Sequence, residues 1–153
     1  MIESISAIES FVPKASFPKL SEYLNQWQVN IVITRKRYTK HGDFRALPKG
    51  GHQITINKMS NPYRFLITTL HEIAHLIAYK NFGPKIKPHG KEWKHVFREI
   101  ISPFLVPEIF PEELLRVCCC TFGNQRPLLI PIPNWLLYSI NLILRMKKTI
   151  FLN

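Results

Sequence analysis

The run His71-Glu72-Ile73-Ala74-His75 sets two imidazoles and a carboxylate at a spacing suited to metal-assisted hydrolysis. On a helix, residues four apart share one face, one turn above the other. His71 and His75 would then offer their ring nitrogens to a single Zn2+. Glu72 follows the first histidine directly, so it sits beside such a metal rather than on it. There it would take a proton from a water that the metal has made acidic. Catalytic zinc usually keeps three protein ligands and one open position, so a third donor is needed. His89 is the best candidate, with Glu92 or Glu99 as the alternative. His95 reads instead as a solvent-facing helix residue among Lys94 and Arg98. The metzincin pattern is excluded, because Ala78 stands where it needs Gly and Asn81 where it needs His. Tyr63, Arg64 and His52 are candidates for stabilising a developing oxyanion.

The elements that must hold these residues are legible. Asn61 is a good N-cap and Pro62 follows at the first helical position. Leu66, Leu70, Ile73 and Ile77 recur at helical spacing and form the expected buried stripe. His71 and His75 lie to one side of that stripe, where they would border a cleft. Gly83 and Pro84 stop the helix. The loop from Asn81 to Pro88 is long enough to swing His89 back, and a second helix runs from Gly90 to about Ile101. Upstream, Ser16 to Trp27 reads as a helix with Leu20, Tyr23, Leu24 and Trp27 on one face. Val29 to Tyr38 and His52 to Lys58 read as strands, with Lys40 to Asp43 a turn and Phe44 to Leu47 a short strand between them. The fold expected is α+β: a compact zincin core with an N-terminal helix, a small antiparallel sheet and two zinc-bearing helices. An exposed strand edge beside the first of these could hold a peptide in extended form by strand addition.

Two segments, His71-Glu72-Ile73-Ala74-His75-Leu76 and Pro88-His89-Gly90-Lys91-Glu92-Trp93-Lys94, resemble the SprT-like zinc metalloprotease family, to which eukaryotic Spartan is related. Ile33-Thr34-Arg35-Lys36-Arg37, Gly42-Asp43-Phe44-Arg45 and Ile54-Thr55-Ile56-Asn57 resemble the strands that precede the zinc helix in bacterial members. The resemblance spans roughly residues 12 to 117. It implies that His71, His75 and His89 are the zinc ligands and Glu72 the catalytic base. It also implies an endopeptidase acting on DNA-associated or DNA-crosslinked proteins.

The net charge is +11, and its placement matters. Between Arg35 and Arg98 stand fourteen Lys or Arg against three acidic residues, a net +11 for that block alone. The basic excess thus falls on the catalytic segment, in Arg35-Lys36-Arg37-Tyr38 with Lys40, and in Lys85, Lys87, Lys91, Lys94 and Arg98. Such a surface favours a polyanion, since neutralising phosphates releases counterions. Tyr38, Phe44 and Trp93 are aromatics that could stack on unpaired bases. No base-reading motif is visible, so DNA contact is expected to be backbone-led and weakly sequence-specific. Protein substrates and DNA are the partners expected. The competing readings are a non-catalytic nucleic-acid-binding protein with a structural zinc, and a membrane-tethered metalloprotease. Glu72 separates the first from an enzyme, because a structural site has no need of a base there.

The chain divides into a domain over 1–117 and an atypical tail over 118–153. Cys118-Cys119-Cys120 lacks the paired spacing of a zinc ribbon and reads as three reduced thiols with no shared role. Leu128 to Leu144 is apolar, but it is short and carries Pro131 and Pro133, whereas a membrane span needs about 20 mainly apolar residues. It reads as a helix packed on the domain or an irregular tail. The N-terminus shows no basic region followed by an apolar core, so a cytoplasmic protein is expected.

Overall fold

A long central helix organises the molecule. Asn61 caps it by accepting a hydrogen bond from the Arg64 backbone N–H at 2.9 Å, and Pro62 occupies the first turn, where a missing N–H costs nothing. Gly83 closes it with φ 83°, a left-handed conformation that glycine adopts without strain. The computed structural model describes residues 5–35, 41–48 and 50–118 of the chain. Within them the central helix is α3, Pro62–Phe82. It is preceded by α1 (Ile5–Ile8), α2 (Phe17–Gln26) and three strands, β1 (Val29–Thr34), β2 (Gly42–Ala46) and β3 (His52–Asn57). It is followed by α4 (Lys91–Ile101) and α5 (Glu112–Cys118).

Burial on α3 goes well beyond the expected stripe. Leu66, Leu70, Ile73 and Ile77 are buried, and so are Phe65, Ile67, Ala74, Leu76 and Ala78. A helix covered this widely is packed between layers rather than laid on a surface. The sheet's Ile31, Ile54 and Ile56 share its core. So does the apolar face of α4, made by Trp93, Val96, Phe97, Ile100 and Ile101. The segment after α4 adds Phe104, Ile109, Phe110 and Leu114.

The architecture is α+β, with one correction to its sheet. The sheet is mixed rather than antiparallel, in the order β1-β3-β2. β2 and β3 pair antiparallel, Phe44 opposite Ile54, whereas β1 and β3 run parallel, Ile31 also opposite Ile54. The reason lies in which strand is most deeply buried. β3 buries Ile54 and Ile56 completely and takes the centre, where both of its edges are paired. β2, carrying Asp43 and Arg45, goes to an edge. Because β1 and β2 are not neighbours, the strands do not form an up-and-down meander, and the chain enters β3 in the same direction as β1.

Other boundaries shift. β1 ends at Thr34 and β2 already begins at Gly42, where a turn was expected. Lys36, Arg37, Tyr38 and Lys40 lie outside the described residues, as do Cys119, Cys120 and the apolar segment Leu128 to Leu144. Cys118 ends α5 and is buried in the core. No helix among the described residues is long and apolar enough to cross a membrane.

Candidate active site

Three imidazoles converge between α3 and the start of α4. α3 supplies His71 and His75 from consecutive turns of one face, as the four-residue spacing requires. The break at Gly83 lets the chain turn back. Lys87 to Gly90 then forms a tight turn, with the Gly90 N–H donating to the Lys87 carbonyl at 2.8 Å. Pro88 and His89 are its two central residues, and His89 has φ 58°. Pro followed by a positive φ is the type II pattern, which usually places Gly or Asn second. Holding a His there costs on the order of 1 kcal/mol, a strain typical of positions whose side chain is needed in one direction.

The result is a near-equilateral triangle of Nε2 atoms. His71 and His75 are 3.2 Å apart, His75 and His89 3.1 Å, and His89 and His71 3.0 Å. Ligand nitrogens about 2.05 Å from a tetrahedral zinc lie about 3.3 Å apart, so the triad fits that ion closely. No hydrogen-bonding scheme satisfies three ring nitrogens aimed at one another, whereas a cation does. These are the only three His, Cys, Asp or Glu side chains among the described residues grouped to hold a metal. Glu99 lies on the solvent side of α4, 3.4 Å from His95. Neither it nor Glu92 joins the cluster.

The surroundings keep the triad in its ligand form. Burial pushes His71 down to about 3, helped by the neighbouring His75 and His89. Burial, then His89, lowers His75 to about 4. His89 is lowered by burial and by Lys94. Neutral imidazole is the form that binds metal. Trp93 supplies much of that burial. Its ring lies 4.7 Å from His71, 5.2 Å from His75 and 4.7 Å from His89, centroid to centroid, and stacks on Phe97 at 5.0 Å. Trp93 is completely buried, so it is a floor for the triad and not a base-stacking surface. Phe44 likewise packs inward against His52 and Tyr79.

Glu72 is buried at 7% exposure on the turn that carries His71. Its carboxylate faces β2. A Cβ built on Gly42 would lie 2.5 Å from Glu72 Oε1 and 2.7 Å from its Cγ, so a side chain at position 42 would displace this carboxylate. Gly42 escapes a reading by motif. Its one signal is a glycine opening a strand, which often marks a close approach.

The three oxyanion candidates lie elsewhere. Tyr63 packs on Phe110 at 5.8 Å, and Arg64 rests 2.8 Å from His41 Nε2. Both are two turns, roughly 10–12 Å, from His71 along α3. His52 opens β3 against Phe44 and Tyr79, not against the triad.

Comparison with known proteins agrees with this arrangement. The sequence profile described as the SprT-like family matches residues 15–111. Protein SprT of Pseudomonas aeruginosa (strain UCBPP-PA14) is 58% identical over 67 residues, covering 39% of this chain and 41% of that protein. Protein SprT of Pseudomonas fluorescens (strain SBW25) is 49% identical over 41 residues, covering 26% of this chain and 25% of that protein. Protein SprT of Glaesserella parasuis is 52% identical over 32 residues, covering 21% of this chain and 20% of that protein. The chain thus spans at most about two-fifths of the length of these relatives. No solved structure matches.

Proposed function

The chain belongs to the SprT-like family, and from that membership and the site's geometry we propose that it is a zinc-dependent metalloendopeptidase. The observation that carries the proposal is the triangle of His71, His75 and His89 nitrogens 3.0–3.2 Å apart, with the buried carboxylate of Glu72 on the same turn as His71. The three imidazoles would hold zinc through Nε2. A bound zinc supplies Lewis acidity at the scissile carbonyl and acidifies a water. Glu72 accepts the proton that water loses as its oxygen attacks the carbonyl carbon. It then delivers that proton to the leaving nitrogen as the peptide bond breaks. Gly42 gives the carboxylate room, and the imidazoles, held neutral by burial, keep their lone pairs for the metal. β2 is an edge strand with β3 on one side, so an extended substrate can add to its other edge by main-chain hydrogen bonds.

The substrates proposed are proteins bound or crosslinked to DNA. What supports this is the basic excess of the segment from Arg35 to Arg98, the stretch of sequence that contains the site. The deciding experiment is metal analysis of the purified chain, followed by a protein-cleavage assay with and without DNA for the wild type and Glu72→Gln. We expect one zinc per chain in both proteins. Gln matches the shape of Glu but cannot accept the proton, so cleavage should fall by at least the 10²–10⁴-fold typical of one general base. Cleavage by Glu72→Gln at the wild-type rate would rule the mechanism out.

A further inference from the structure

A polar cavity lies at the start of α3, two helical turns before His71. Its volume is about 210 Å³, and its polar lining is His41, Asn57, Lys58, Ser60, Asn61 and Arg64. Three of these side chains are cationic or can become so, three are neutral polar groups, and among the described residues no carboxylate lines it. The Arg64 guanidinium lies 2.8 Å from His41 Nε2 and 3.2 Å from Nδ1, and the Lys58 ammonium sits over the Phe11 ring at 5.9 Å. A guanidinium at a pocket wall is shaped to take an oxyanion through two parallel hydrogen bonds. The volume is below that of an ordinary ligand cleft and suits one side chain or one small anion.

The cavity's position relates it to the substrate. Arg64, Thr68 and Glu72 are spaced by four on α3, so they follow one face of the helix. β2 runs alongside: His41 meets Arg64, Gly42 abuts Glu72, and Phe44 meets Tyr79. A peptide laid on the β2 edge therefore follows α3, and its continuation past Gly42 comes level with His41, which lines the cavity. Arg64 is about 12 Å from Glu72 along the helix axis. An extended chain covers that distance in three or four residues at about 3.3 Å each.

We propose that this cavity is a substrate subsite that takes the carboxylate of an Asp or Glu three or four residues from the cleaved bond, so that the enzyme favours acidic segments. The inference rests on the endopeptidase reading above. A phosphate of a nucleic acid carries similar charge, but strand addition to β2 brings a substrate peptide level with His41 at the cavity wall.

The test is cleavage of a proteome-derived peptide library by the zinc-loaded full chain, with every cut position sequenced. Wild type should enrich Asp and Glu at one position three or four residues from the cut. Arg64→Gln should lower the preference for acid over amide there about tenfold or more, the loss expected for a charge-assisted pair. Arg64→Glu should shift the preference to Lys and Arg. An absent acidic preference, or one unchanged in both variants, overturns the proposal. If wild type cuts no peptide, the endopeptidase reading fails on its own account. The same library is then captured on the immobilised, zinc-loaded chain. Acidic enrichment that Arg64→Gln abolishes upholds the subsite, and captured peptides without that bias overturn it. Binding of a single-stranded oligonucleotide that depends on Arg64 while peptide preference does not would assign the cavity to phosphate, and also overturns it.

Discussion

Glu72 and Gly42 show how closely a buried carboxylate and a residue with no side chain depend on each other. A methyl group at position 42 would fall 2.5 Å from the carboxylate oxygen, well inside contact distance. The carboxylate is the end of a flexible side chain, so it would swing aside before the strand moved. Gly42→Ala should therefore fold with a loss of about 1–3 kcal/mol and keep its zinc, yet cleave at least tenfold more slowly. Equal rates for Gly42→Ala and wild type would contradict that dependence. The histidines give a prediction in pH. In the unfolded chain they titrate near 6.5, whereas burial holds His71 near 3 and His75 near 4 when folded. Between those values the unfolded state binds more protons, so stability rises with pH. The chelator-treated protein should lose melting temperature as pH falls from about 6.5 towards 4, and His71→Asn should flatten that dependence. A melting temperature flat across this window would contradict the depressed values. The convergence of His71 and His75 was readable from their spacing alone. Gly42 was not, because its partner lies thirty positions away and only the packing of β2 on α3 brings them together.

Among the elements, the best-read is α3, whose cap at Asn61 and stop at Gly83 are local chemistry. The loop after it was legible in purpose but not in conformation. That Pro88-His89 forms a turn with a left-handed histidine depends on where the imidazole must point. The loop from Gly83 to Gly90 has few buried side chains, and Lys85 and Lys87 in it are exposed. A metal held by His71, His75 and His89 would tie this loop to α3. In a Glu72→Gln background, which excludes self-cleavage, chelation should speed tryptic cutting after Lys85. His89→Ala should be cut as quickly with zinc present as without it. Identical digestion with and without chelator would mean that the loop is held by its own contacts. Trp93 was ambiguous for a related reason. An aromatic on an amphipathic helix faces either the core or a ligand, and here it packs under three rings that come from two other elements.

For the whole molecule, the basic excess is a property of distribution, visible in the sequence because the charges crowd one block. If that block meets DNA phosphates, log affinity should fall linearly with log salt. Replacing Lys91 and Lys94 by Gln should then reduce the slope by about 1–2, equally for unrelated sequences. A salt-independent affinity would point to a different contact. The sheet's pairing is the whole-molecule feature least accessible to the sequence, since period-two patterns reveal strands but not their neighbours. That pairing also sets an order of events. β2 and β3 are joined by a short link and can zip together locally, whereas β1 has no partner until β3 is in place, and its register joins Val29 to His52. Closing the longer loop costs entropy before any contact rewards it, so β1 should dock late on the folding route. Ile54→Val should slow folding, whereas Ile31→Val should mainly quicken unfolding. The reverse pattern in stopped-flow kinetics would show that β1 nucleates. A late-docking β1 also means that β3, the strand with the two fully buried isoleucines, spends part of each folding event with one edge bare. Where growing chains crowd together, that edge is the first surface on which a neighbouring copy could pair.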